Sequence, residues 1–428
     1  MRRDAFWSAA EAGAAGILSL ASAFFVARLV GPEALGTGAA AIAVNVILWV
    51  VVNALFADAL VQRPALTQAE AASAFWASTA VGGAAGVLQA GSGWVLAAVM
   101  GDPRFVTMSC VLALPLPLVG AAGVIQGLLT RERAYRRLAM RTIVGQGLGC
   151  ATGVAAALTG AGAWAVVLQQ AVGALLGALV LLAGRGWWPG LPTGVRWDHA
   201  ALRAMLAVGV PLTTSTLVLI GRYRLFAVLV GACAGSAVLG QVHIAFRLVD
   251  SVRDLAFTAL WRLVLPAMSP HQADRASLLD EVDRWQRRCL LALLPLCLLL
   301  AVALTNGVTR FMGPVWESAA RASMPLLGLT AVSALTFPAG VALVATGGAH
   351  RALYGYLAAL ALTCAGVILF PPADAWQAVM IWTASQVLTL PYTLWINARA
   401  LGVGLLRPIA GAFALPRSAP AFSRRGVF

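Results

Sequence analysis

Lysine is missing from this 428-residue chain, and acids are scarce: 30 arginines face 16 aspartates and glutamates. Charged residues make up only 11% of the chain, against about 25% in a soluble globular domain. That poverty excludes a soluble fold of this length, which would need far more polar surface. It also excludes a basic nucleic-acid-binding domain, because no soluble basic segment is present to carry one. Alternation of polar and apolar residues is missing too. Runs such as Leu290–Leu304 are apolar throughout, which excludes a β-barrel, whose strands alternate. The sequence has no Walker loop, no His, Cys or Asp cluster at metal-ligand spacing and no serine-nucleophile motif. No catalytic residue, metal or cofactor is expected. The six cysteines sit in or beside apolar runs and read as small packing residues.

What remains is a chain that is 61% hydrophobic, with apolar runs of about 20 residues or more, the length that crosses a hydrocarbon core. The opening MRRDAFW resembles a signal peptide, but its apolar stretch continues to about Val30, too long for a cleaved segment. Helices are expected near 6–30, 35–60, 72–100, 106–130, 139–159, 162–184, 204–230, 235–267, 289–306, 322–346, 352–370 and 374–397. The fold class is therefore an all-α integral membrane bundle of about twelve transmembrane helices. Arginines crowd alternate connections, as at Arg131–Arg141, Arg262–Arg288 and Arg399–Arg425. The opposite connections hold only Arg28, Arg104, Arg310 and Arg321. The crowded side is cytoplasmic, which places both termini there and sets the arginines against anionic lipid headgroups.

Two glycine turns match: GPEALG at Gly31–Gly36 and GSAVLG at Gly235–Gly240, half a chain apart on the same expected outer side. They suggest two parallel six-helix lobes, 1–184 and 204–398, joined by a cytoplasmic linker 185–203 and followed by a basic cytoplasmic tail 399–428. Ser269–Arg288 is expected to be an amphipathic helix or helical extension, with Leu278, Leu279, Val282 and Trp285 at helical spacing.

Charge inside the membrane is costly and marks candidate function. Arg247, Asp250, Arg253 and Asp254 fall within one helix, and Arg222 and Arg224 within the preceding one. The arginines fit a cavity for an anionic group such as a diphosphate, and the aspartates fit ion or proton coupling. The competing explanation is an internally neutralised salt-bridge network. Arg28, Glu11 and Asp58 read as interfacial, Arg28 being also a candidate at the outer end of the cleft. Gln126, Gln146, Gln169 and Gln170 suit either a sugar path or helix-to-helix hydrogen bonds, and His243 reads as a packed histidine.

Several segments carry a family likeness: ARLVGPEALG (Ala27–Gly36), ALVQRPALT (Ala59–Thr67) before Phe75-Trp76, GAGAWAVVLQQ (Gly160–Gln170), GACAGSAVLG (Gly231–Gly240), LPAMSPHQAD (Leu265–Asp274) and GPVWESA (Gly313–Ala319). Together they resemble the bacterial polysaccharide or O-antigen flippases of the multidrug/oligosaccharidyl-lipid/polysaccharide exporter superfamily. The resemblance implies a MATE-like two-lobe fold in the bacterial inner membrane. It implies a lipid-linked oligosaccharide on undecaprenyl diphosphate as substrate, moved by alternating access through a cationic cleft, with other polysaccharide-export components as further partners. Arg222, Arg224, Arg247 and Arg28 would then bind substrate, and Asp250, Arg253 and Asp254 would form a coupling or salt-bridge network. One departure stands out. The family often has an acid a few residues before the second glycine turn, where this chain has Phe226. Alternatives are a multidrug/cation antiporter or a peptidoglycan-precursor flippase of the same superfamily. From another class, a membrane glycan polymerase or ligase is the rival, though such proteins usually carry a large outer loop.

Overall fold

The computed structural model describes residues 2–63, 65–183, 197–272, 274–405 and 407–410. The described residues are all-helical, with no strand among them. Most of the expected linker, with Arg185 and Arg196, lies outside the described residues, as does the tail beyond 410 with Arg417, Arg424 and Arg425. The helices are α1 (Arg2–Ala54), α2 (Ala57–Gln62), α3 (Gln68–Met100), α4 (Arg104–Ala113), α5 (Leu116–Arg131), α6 (Tyr135–Leu158) and α7 (Trp164–Leu182). They continue as α8 (His199–Met268), α9 (Arg275–Met312), α10 (Glu317–Ala345), α11 (Ala349–Leu369), α12 (Ala375–Leu388), α13 (Leu390–Leu401) and α14 (Arg407–Ala410).

Local signals place the ends. Thr67 caps α3: its hydroxyl accepts from Glu70 N–H (3.2 Å) while the Glu70 carboxylate accepts from Thr67 N–H (2.8 Å). Gly101, at φ 69°, ends the same helix in the left-handed region. Asp102 then pairs with Arg104 at 2.8 Å, and that side-chain hydrogen bond holds the Asp102 carboxyl below the usual carboxylate range.

The chain is a multi-pass membrane protein, and among the described residues eight stretches are long and apolar enough to cross a bilayer. The expected count of twelve differs for physical reasons. α1 and α8 each run through a glycine break that separates two expected helices. α6 is diluted by arginines and glycines, and the last expected helix is interrupted between α12 and α13. A continuous helix of 53 residues would be about 80 Å long, well over twice the hydrocarbon thickness, so the break in α1 divides a segment too long for one crossing. The surface is inside-out relative to a soluble protein. Leu291, Leu298 and Val302 of α9 share one face and are all exposed, as a lipid-facing stripe should be.

Packing resolves two compact units. The first comprises Met1–Ser251, Ala303–Leu326 and Tyr356–Ser385. Its main core joins Val52, Leu60, Leu116, Val124, Leu128 and Met205. The second comprises Val252–Val302, Leu327–Gly355 and Gln386–Phe428. Its core holds Val264, Met268, Leu278, Val282, Val341 and Leu401. The expected amphipathic segment is a short 3-10 turn, Ser269–His271, followed by the first turns of α9, and its apolar face, Leu278 and Val282, enters that core. Behind it, Arg407 of α14 donates both guanidinium nitrogens to the Asp283 carboxylate at 3.0 and 2.7 Å.

Within the first unit the two glycine turns meet. Gly31 (φ 76°, ψ 171°) and Gly235 (φ 86°, ψ 167°) share a conformation open essentially to glycine alone. Five residues on, a Cβ placed on Gly36 would lie 1.8 Å from the Ser236 carbonyl oxygen, and one on Gly240 would lie 1.9 Å from that of Pro32. The contact is reciprocal: each glycine touches the residue equivalent to the one its counterpart touches. Such a pair has local two-fold symmetry. Gly36→Ala and Gly240→Ala are each expected to cost about 1–3 kcal/mol, since backbone must move. Gly91→Ala, where nothing lies within 4 Å, should be harmless. Thermal unfolding in detergent measures the difference.

Candidate functional site

α6 and α7 approach through rows of glycine four residues apart. A Cβ on Gly145 would sit 2.9 Å from the Gly173 carbonyl oxygen and from Gly177 Cα, and one on Gly149 would sit 2.7 Å from the Gln169 carbonyl oxygen. Small residues let two backbones touch where lipid offers no hydrophobic drive for association. This pair, with α1, α5 and the part of α8 within the first unit, encloses a cavity of about 530 Å³.

Three guanidinium groups line it: Arg141 from α6, and Arg224 and Arg247 from either side of the Gly235 break in α8. Among the described residues lining it there is no aspartate or glutamate. Arg141 donates to the Gln126 side-chain oxygen, and Arg247 donates to the Ser19 hydroxyl. Arg224 lies 5.3 Å from the Tyr223 ring centroid. The Nε atoms of Arg224 and Arg247 are buried without a hydrogen-bond partner among the described residues. Like charges crowded at low dielectric repel, and orphaned donors add a desolvation penalty. An anion in the cavity would relieve both.

The expected site residues separate on this geometry. Arg224 and Arg247 come together at the cavity wall. Arg222 points elsewhere, its guanidinium carbon 4.9 Å from the Trp382 ring and 5.4 Å from Tyr356, beside an aromatic cluster with Phe226 and Phe246. Arg28 is exposed and does not line the cavity. Asp250 is half-buried outside the lining, while Arg253 pairs with the exposed Asp254 at 3.2 Å. His243 lines the cavity, its Nδ1 3.3 Å from the Tyr223 hydroxyl. Arg141 was hidden in the sequence among the loop arginines, because α6 begins at Tyr135, a turn earlier than its hydropathy suggests. The signal that could have found it is Gly145, Gly149 and Gly153 at four-residue spacing directly after it.

The fold is that of transporters of the MOP superfamily. It superposes on the lipid II flippase MurJ in its inward closed conformation with a TM-score of 0.75, at 10% identity, covering 95% of this chain and 90% of that one. An inward-facing multidrug resistance MATE family transporter matches with a TM-score of 0.69 at 13% identity, covering 91% and 95%. By its sequence, the chain belongs to the polysaccharide biosynthesis protein family, whose model matches residues 25–321. The family likeness carried by the six segments between Ala27 and Ala319, all inside that match, is thereby borne out. The succinoglycan biosynthesis transport protein ExoT of Rhizobium meliloti (strain 1021) is 28% identical over 178 residues, 41% of this chain. The match spans about a third (35%) of that relative's length.

A polar cavity among apolar helices should be hydrated. In a background without native cysteines, Asn53→Cys and Gln146→Cys are expected to react with a hydrophilic maleimide, and Leu298→Cys on the lipid stripe is not. Labelling yield measured by mass shift checks this.

Proposed function

We propose that this protein is a flippase that carries undecaprenyl-diphosphate-linked oligosaccharide across the bacterial inner membrane for exopolysaccharide or O-antigen export. The observation that carries this reading is the cavity wall with three arginines and no carboxylate among its described residues. A diphosphate cannot leave water for hydrocarbon unaided, and fixed guanidinium groups replace its hydration with charge-assisted hydrogen bonds. Family membership and the transport role named for the Rhizobium relative support the same cargo class. A cation antiporter would need acidic cavity residues, so the charge sign counts against it.

In this scheme the chain forms two parallel six-helix lobes, 1–184 and 204–398, joined by the 185–203 linker, with both termini and the 399–428 tail in the cytoplasm. It works by alternating access, the lipid tail staying in the bilayer, and does no covalent chemistry. Arg224 and Arg247 hold the diphosphate. Arg28 and Arg222 lie off the cavity wall, so Arg222 is proposed to contribute packing through its aromatic contacts and the exposed Arg28 to meet headgroups at the outer interface. Asp250 and Asp254 are the candidates for coupling, with Arg253 as the neutralising partner of Asp254.

Deleting the gene should abolish surface glycan and leave lipid-linked repeat units facing the cytoplasm. Unaltered export would defeat the proposal. Complementation with Arg224→Ala plus Arg247→Ala should reduce export at least about tenfold, since each lost charge-assisted bond is worth about 1.5–3 kcal/mol. Arg222→Ala should act mainly on stability, losing about 1–2 kcal/mol of cation–π contact, read as a lower melting temperature.

A further inference from the structure

Amide side chains around the cavity fall into two sets. Gln169 accepts from the Ser22 hydroxyl at 3.0 Å, and Gln170 donates to the Asn45 side-chain oxygen at 3.5 Å, so both tie helices together. Asn53 and Gln146, both half-buried, also line the cavity but make no side-chain hydrogen bond among the described residues. An amide left unsatisfied at membrane depth is costly, so these two need water or a ligand. Trp49 lines the wall one helical turn before Asn53, on the same face of α1.

This group lies apart from the Arg224–Arg247 pair. Cys150 marks the level of that pair: its Sγ is 3.6 Å from the Leu18 carbonyl oxygen, next to Ser19, which Arg247 contacts. Arg141 lies about 13 Å further along α6, and Gln146 falls between the two levels. Asn53 lies toward the Arg141 end, since its carbonyl oxygen is 3.0 Å from where a Gly123 Cβ would sit, one turn before the Gln126 that Arg141 contacts. A diphosphate held by Arg224 and Arg247 whose glycan extends toward Arg141 would bring that glycan past Gln146 to Asn53 and Trp49.

We infer that Trp49, Asn53 and Gln146 form a sugar subsite that reads the first residues of the glycan, a reading that rests on the flippase function proposed above. An amide both donates and accepts, matching a hydroxyl that does the same. An indole face covers the apolar side of a pyranose ring while its N–H stays available. A wall built to hydrogen-bond hydroxyls discriminates against cargo lacking them.

Binding to the purified full-length protein in detergent tests this with two probes. One is undecaprenyl diphosphate, and the other is the lipid-linked glycan extracted from cells lacking the gene. Asn53→Ala plus Gln146→Ala should weaken the glycan-bearing probe about tenfold and leave undecaprenyl diphosphate within twofold. Trp49→Ala should follow the same pattern, and Trp49→Phe should recover part of the loss. Equal loss on both probes, or on neither, overturns the subsite. Arg224→Ala plus Arg247→Ala should weaken both probes together. If wild-type protein binds neither probe, or the double arginine variant keeps both, the flippase reading itself fails, a result separate from failure of the subsite alone.

Discussion

Helices in hydrocarbon gain nothing by hiding apolar surface from one another, because the surrounding lipid is equally apolar. Their association depends on how closely backbones can approach, and in the first unit glycine sets that distance where the two turns meet and along α6 and α7. Gly36 and Gly240 bring the two matching turns together with no room for a methyl group. The α6–α7 glycine rows set the wall that carries Arg141, and α8 brings Arg224 and Arg247 to the same cavity from either side of Gly235. A bulkier residue at these contacts would move the wall and its charges together.

The same medium makes the cavity chemically selective. Three guanidinium groups at low dielectric lower the energy of an anion far more than they would in water. Arg224 and Arg247 line that cavity, while Arg222, two residues before Arg224, sets its charge against aromatic faces. A step of two residues rotates a side chain by more than half a helical turn, which is enough to separate a wall residue from a packing residue.

Much of the membrane architecture was legible along the chain. Length and hydropathy placed the apolar helices, and the Gly31 and Gly235 breaks were visible as matching turns because only glycine tolerates that backbone. The candidate site was half legible. Intramembrane arginines stand out because charge is so rare there, which flagged Arg224 and Arg247. It flagged Arg222 equally, since a sequence does not show which way a helix faces its neighbours. Arg141 went unnoticed because it sits among arginines whose common role is topology.

By itself, then, the sequence determined that this is an all-helical, multi-pass membrane protein with basic connections and two equivalent glycine turns, because those properties follow from local composition and backbone chemistry. Only the tertiary structure decided which charges share a cavity, that no described carboxylate lines it with them, and that guanidinium donors of Arg224 and Arg247 are buried without a partner among the described residues. Those are properties of contacts between residues far apart in the chain, set by helix rotation and by the closeness that glycine permits.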